Sequence, residues 1–155
     1  MSQNPLNAAA RAAGRGMRLG HGGPFGAAIV RKGKVIAVAC NSVLLNRDAT
    51  RHAEMNAIRS ASRTLRRFSL ADCEIFSTTE PCPMCFSAIH WSRLQRVVYV
   101  TTIRDVHRLG FNELTVSNSR MKKWGKSPVM LKRVRNAACE RLLRDWKRLE
   151  TKNTY

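Results

Sequence analysis

The segment EIFSTTEPCPMCFSAIHWSRLQRVVYV, residues 74–100, decides the architecture. Glu74 to Thr78 reads as a short strand, and Thr79-Glu80 leads from it into the Pro81-Cys82 turn. Pro83 to Arg93 reads as a helix, with proline tolerated in its first turn. Arg96 to Val100 is then a second, buried strand. Strand, helix and strand in succession point to parallel pairing through a crossover, and so to an α/β sheet. Cys82 and Cys85 stand where that helix begins. Three residues apart at a helix start, they share one face with Cβ atoms about 5–6 Å apart. The positive end of the helix favours thiolate over thiol.

A Cys-x-x-Cys by itself fits redox chemistry, structural zinc or catalysis equally. The stretch His52-Ala53-Glu54 separates them. His52 can supply a third zinc ligand beside Cys82 and Cys85, and three protein ligands leave one tetrahedral position for water, as a catalytic zinc requires. A structural site would need a fourth ligand. His90 and Cys73 are the candidates in range, but neither completes a recognised four-ligand spacing. Glu54 adds the proton carrier. Side chains at i and i+2 of a regular helix point about 200° apart, so the chain must enter its helix irregularly at His52 if both groups share a cavity. Glu54 can take a proton from zinc-activated water and later deliver it, for attack on an amidine-like ring carbon with loss of ammonia. His-x-Glu followed by Pro-Cys-x-x-Cys is the zinc deaminase pattern. A thioredoxin-like redox role explains neither His52 nor Glu54.

Outward from these motifs, Arg51 to Leu65 reads as the helix carrying Glu54, with Ala53, Ala57, Ile58, Ala61 and Leu65 buried and Thr50 as its cap. Arg59, Arg63, Arg66 and Arg67 form a basic stripe on its other side. Phe25 to Val30 and Val35 to Cys40 read as a hairpin with Lys32-Gly33 at the tip. Asn41, directly after the second strand, either caps a turn or reads a ligand. Pro5 to Met17 is a first helix burying Leu6, Ala9, Ala10, Ala13 and Met17. Beyond the central segment, Arg104 to Leu109 gives one or two helical turns, and Asn118 to Ser127 reads as a basic loop containing Trp124. Val129 to Val134 reads as an edge strand. Ala137 to Glu150 is an amphipathic helix with Ala138, Leu142, Trp146 and Leu149 inside.

At 155 residues the chain suits one domain with one substantial core, residues 1–155 without an internal repeat or linker. A hydrophobic fraction of 44% with five prolines and nine glycines excludes a disordered chain. No apolar stretch approaches the roughly 20 residues that span a bilayer, and Met1 to Gly16 lacks the apolar segment of a signal peptide. A cytoplasmic protein is the expectation. Five cysteines without framework spacing suit a reducing compartment, with Cys40, Cys73 and Cys139 as small buried hydrophobes. The 28 Lys and Arg exceed the 10 Asp and Glu by 18 charges. Such a field attracts anions, nucleic acid first, although non-specific attraction does not define a substrate.

The chain resembles the cytidine deaminase-like superfamily, and within it the bacterial guanine deaminases and their plant guanosine deaminase relatives. The residues that carry the likeness are Gly22-Gly23-Pro24-Phe25-Gly26-Ala27, His52-Ala53-Glu54 with Ala57-Ile58-Arg59, Glu80-Pro81-Cys82-Pro83-Met84-Cys85, Ala88-Ile89-His90-Trp91, Gly110-Phe111 and the tail ending in Tyr155. The resemblance implies a three-layer α/β/α sandwich around a five-stranded mixed sheet. It implies one zinc per chain on His52, Cys82 and Cys85, with Glu54 shuttling protons and guanine converted to xanthine and ammonia. Asn41, Phe25 and Glu113 would bind the small purine or a related aminated heterocycle. Tyr155 would close over the site at the end of a helix-and-lid segment, 137–155. A homodimer is implied, and in the bacterial guanine deaminases the C-terminal tail comes from the partner subunit through a domain swap. Where that family carries Gly-Phe-Asp-Asp, this chain has Gly110-Phe111-Asn112-Glu113, so Glu113 keeps the carboxylate but adds a methylene. The tRNA adenosine deaminases share the zinc motif and are favoured by the charge. Against them stand Gly23-Pro24-Phe25-Gly26 and a tail suited to closing over a free base. A zinc-bearing nucleic-acid-binding module without activity leaves Glu54 unexplained.

Overall fold

The computed structural model describes residues 4–155. In chain order its elements are α1 (Pro5–Arg18), β1 (Gly26–Arg31), β2 (Lys34–Cys40), α2 (Val43–Asn46), α3 (Ala53–Leu65), β3 (Cys73–Thr79), α4 (Pro83–Trp91), β4 (Arg96–Thr101), α5 (Ile103–His107), α6 (Asn118–Trp124), β5 (Met130–Arg133) and α7 (Ala137–Arg148). The strands form one mixed sheet in the order β2-β1-β3-β4-β5. β1 runs antiparallel to both β2 and β3, while β3, β4 and β5 are parallel. The crossover read from residues 74–100 is α4, which delivers β4 parallel to β3 from Glu74↔Arg96 to Thr79↔Thr101. The hairpin turns at Lys32 and Gly33, both with positive φ (48° and 73°), the conformation whose twist suits a two-residue hairpin.

Alternation along β4 makes the layers. Val97 packs with Ala53 and Ala57 of α3 and Ile89 of α4. Val98 and Val100 pack on the opposite face with Leu6, Ala10 and Ala13 of α1 and Cys139 and Leu142 of α7. The result is the α/β/α sandwich. On the α1 side the contact is close: a Cβ added at Gly26 would lie 2.1 Å from the Ala9 carbonyl oxygen. A further cluster of Met17, Val106, Phe111 and Trp146 joins α1, α5 and α7 to the tail. Among the described residues no helix is long and apolar enough to cross a membrane.

Three local expectations change. Residues 118–124 form α6 rather than a loop, because the Ser117 hydroxyl caps it at the Arg120 N–H and Asn118 is fully buried against the metal loop. Those anchors are tertiary and leave no mark in a basic, weakly periodic stretch. In α7 the buried position is Cys139, not Ala138, so the inward stripe runs 139, 142, 146. Finally, α3 is capped by His52 in an extended conformation, and the Thr50 hydroxyl turns to Asp48 at 2.7 Å instead.

Candidate active site

Two helix N-termini converge on the site, and both use the same local device. His52 precedes α3 with φ −65° and ψ 155°, and Cys82 precedes α4 with φ −66° and ψ 166°. Each is therefore extended, and helical phase starts only at the next residue. This resolves the problem of Glu54: with His52 outside the helix, the two side chains can share one cavity. Pro83 occupies the first turn of α4, where its missing N–H costs nothing.

The His52, Cys82 and Cys85 donor atoms lie within 4.8 Å of one another. His52 Nδ1 is 3.6 Å from Cys82 Sγ. Ligands held at about 2.1 and 2.3 Å from a tetrahedral zinc stand about 3.6 Å apart, so the donor set fits the ion. No fourth protein ligand joins this group among the described residues. His90 Nδ1 pairs with the Ser127 hydroxyl at 2.9 Å, and the Cys73 thiol faces Asp72. All five cysteines are free thiols, and Cys40 is only partly buried.

Electrostatics set the donors apart. The Cys82 thiol is lowered to about 4, first by the hydrogen bond from Cys85 and, against burial, by the hydrogen bond and charge of His52. Cys85 is pushed up by its bond to Cys82, by burial and by the neighbouring Glu54. Burial works to lower His52, but the Cys82 hydrogen bond and charge outweigh it and raise the imidazole to about 9. Burial dominates at Glu54 and raises its carboxyl, opposed by the His52 charge and the Ser77 hydrogen bond. Ser77 donates to Glu54 Oε1 at 3.0 Å, and the Cys85 thiol lies 3.5 Å from Oε2.

A cavity of about 330 Å³, counted with its open mouth, adjoins these groups. Phe25, Asn41, His52, Glu54, Cys82 and Glu113 all line it, together with Thr79, Glu80, Ile103 and Val106. Asn41 is buried; its Oδ1 accepts the Val43 N–H at 3.2 Å, while its Nδ2 has no partner. A buried, unsatisfied donor on a cavity wall is an open offer to a ligand acceptor. Burial and the charge of Cys82 raise Glu113 to about 7. Tyr155 reaches this same end of the molecule. Its hydroxyl accepts the Gly23 N–H at 3.2 Å, its carbonyl accepts the Asn112 N–H at 3.3 Å, and its ring meets Phe111 edge-on at 5.5 Å. Phe111 in turn packs on Phe25 and Trp146.

The sequence motif matches the cytidine and deoxycytidylate deaminase zinc-binding region over residues 2–101. The chain belongs to that deaminase family. Its reaction class is zinc-dependent hydrolytic deamination, with one zinc per chain. The chain is 43% identical to guanine deaminase of Bacillus subtilis (strain 168) over 108 residues, covering 70% of this chain and 69% of that one. It is 46% identical to the tRNA-specific adenosine deaminase of Aquifex aeolicus (strain VF5) over 76 residues, 49% of this chain and 50% of that enzyme. The solved guanine deaminase from Nitrosomonas europaea superimposes with a TM-score of 0.84 at 27% identity, covering 96% of this chain and 87% of that one.

Several residues of this deaminase site were not singled out by their own sequence signal. Ser77 lies 23 positions from the Glu54 it touches. Gly22 leaves room for Asn41: a Cβ there would fall 2.0 Å from Asn41 Oδ1. Gly23 does the same for Phe25, whose ring would be 2.5 Å from an added Cβ. The paired glycines before Pro24 were the available clue, but their partners become visible only in space.

Proposed function

We propose that this deaminase converts guanine and water to xanthine and ammonia. The observation that carries the reading is the joining, in one cavity, of the His52-Cys82-Cys85 donor set and Glu54 with the unpaired Asn41 amide and the Glu113 carboxyl. Zinc, when bound to the three ligands, supplies a fourth position at which water becomes acidic near neutral pH. Glu54 would accept one proton from the attacking water and pass it to a ring nitrogen, then accept that water's second proton and pass it to the amino group, which leaves as ammonia while the carbonyl forms. Ser77 fixes one oxygen of Glu54, leaving the other for proton transfer. Asn41 Nδ2 donates to a purine acceptor, and Phe25 packs beside the base. Glu113 accepts from the guanine ring N–H and exocyclic amine. Adenine also carries an amino group, but the ring nitrogen beside it is an unprotonated acceptor, so Glu113 would lose the ring N–H, and leaving a buried polar group unpaired is a strong means of rejection. The longer Glu113 side chain still lines the cavity, which supports its standing in for the family's aspartate.

Residues 1–155 form one deaminase domain in this reading, with 137–155 as helix and lid. The Tyr155 hydroxyl accepts the Gly23 N–H of its own chain, which supports a lid role for the tail, and a homodimer, with or without exchange of that segment, is the expected assembly in a cytoplasmic setting. Adenosine in tRNA is the second reading, favoured by the +18 charge and the similarity to the Aquifex enzyme. Ammonia release from guanine, guanosine, adenine, cytosine, cytidine and tRNA by the zinc-loaded protein separates the two. Guanine should be the fastest substrate. Release from tRNA alone would overturn the proposal.

A further inference from the structure

We propose that Glu80 is a positioning residue for purine recognition, a clamp that sets Glu113 against the metal loop. The inference rests on the purine-reading role given to Glu113 above. Glu80 is 7% exposed, and its two oxygens serve two different elements. Oε2 accepts the N–H of Ile103 at 3.2 Å, and Oε1 accepts the N–H of Asn118 at 2.8 Å. Those residues open α5 and α6, so a single carboxyl pins both ends of the segment 104–117 that carries Glu113. The Asn118 side chain completes the clamp by donating to the Pro81 carbonyl at 2.6 Å, one residue before Cys82. The Glu80 N–H adds a bond to the Thr101 carbonyl at 2.8 Å.

Little else holds Glu113 in place. Residues 111–117 have no regular structure. Phe111 is seated in the aromatic cluster, and the Asn112 N–H bonds the Tyr155 carbonyl. The path of Glu113 is therefore fixed by Phe111 on one side and by Asn118 on the other. Chemistry dictates the type of residue at 80. Two buried backbone donors need two acceptors, and a carboxylate supplies both. A glutamine would turn an NH₂ group toward one of them, and an aspartate is a methylene short of spanning the pair.

The test is Glu80→Gln in the zinc-loaded protein, with guanine as substrate. The expected result is a fall in kcat/KM of roughly tenfold or more, the equivalent of one lost buried hydrogen bond to a charged group. The loss should lie mainly in KM, with the preference for guanine over adenine reduced and zinc still stoichiometric. In a Glu113→Gln background the same substitution should change kcat/KM by less than about twofold, because coupled residues are non-additive. Full, multiplicative losses in that background, or loss of zinc from Glu80→Gln, overturn the clamp alone. An unchanged Glu113→Gln enzyme overturns both the clamp and the purine-reading role. Should Glu80→Gln not fold, Glu80→Asp carries the same comparison: it keeps the charge, and normal KM and discrimination in it refute the inference.

Discussion

Gly22→Ala places a methyl group 2.0 Å from Asn41 Oδ1 and 3.0 Å from its Cγ. The obstacle is steric alone. Ordinary contact demands a retreat of more than about 1 Å, since real Cβ contacts lie near 3.4–4 Å. Asn41 cannot retreat without giving up the bond from the Val43 N–H at 3.2 Å. A buried donor left unsatisfied costs about 1–3 kcal/mol. For a chain of this size that corresponds to roughly 2–12 °C in Tm. The same movement swings Nδ2 off the cavity wall, and misplacing a recognition group by about 1 Å can cost up to 100-fold in rate. Calorimetry and guanine turnover measure the two effects. The decisive comparison removes the clashing atoms: with Asn41→Ala present, Gly22→Ala should add little, since the nearest remaining atom of residue 41 is the backbone oxygen at 3.3 Å. A Gly22→Ala protein with unaltered Tm and kcat/KM would show that Asn41 is not held by the absence of a side chain at 22.

Other outcomes follow from single contacts. Gly26→Ala drives a methyl into the Ala9 carbonyl, and backbone cannot swing aside, so overpacking of about 1–3 kcal/mol or more is expected in denaturant unfolding. Deleting residues 151–155 removes both hydrogen bonds of Tyr155 and its contact with Phe111. Guanine kcat/KM should fall at least about tenfold while Tm changes by a few degrees, and normal kinetics would remove the lid. Asp72 is held at about 2, first by its hydrogen bond from Arg31 at 2.7 Å. Arg67 also pairs with it. Its folded value lies below the ordinary 3.8, so its contribution is present above about pH 4 and is lost as pH falls toward 2. The Tm difference between the native chain and Asp72→Asn should therefore shrink between pH 6 and pH 2.5, and a constant difference would refute the pairing.

Much of the site is legible in sequence because it is assembled from short spacings at helix starts. Cys82 and Cys85 lie within one turn, and His52 and Glu54 straddle one helix boundary, so their proximity is nearly local. The helices α1, α3 and α7 show through their apolar stripes, and the hairpin through Lys32-Gly33. The one-residue offset in α7 reflects a choice between Ala138 and Cys139 that periodicity alone leaves even. Helix α6 escapes for a different reason. Its residues have no apolar stripe of the usual kind, and its start is held by Glu80 and Pro81.

Sequence by itself determined the His52-Cys82-Cys85 donor set, the Glu54 carboxyl beside it and the crossover that sets them beside a parallel strand, because each depends on backbone geometry over a few residues. Tertiary structure alone decided which groups line the cavity together and how they are held. Ser77 meets Glu54, Gly22 yields to Asn41, Glu80 grips Ile103 and Asn118, and Tyr155 reaches Gly23. Most of these pairs join residues about 20 or more positions apart. Their contact exists only once the sheet has ordered its strands and packed a helical layer on each face.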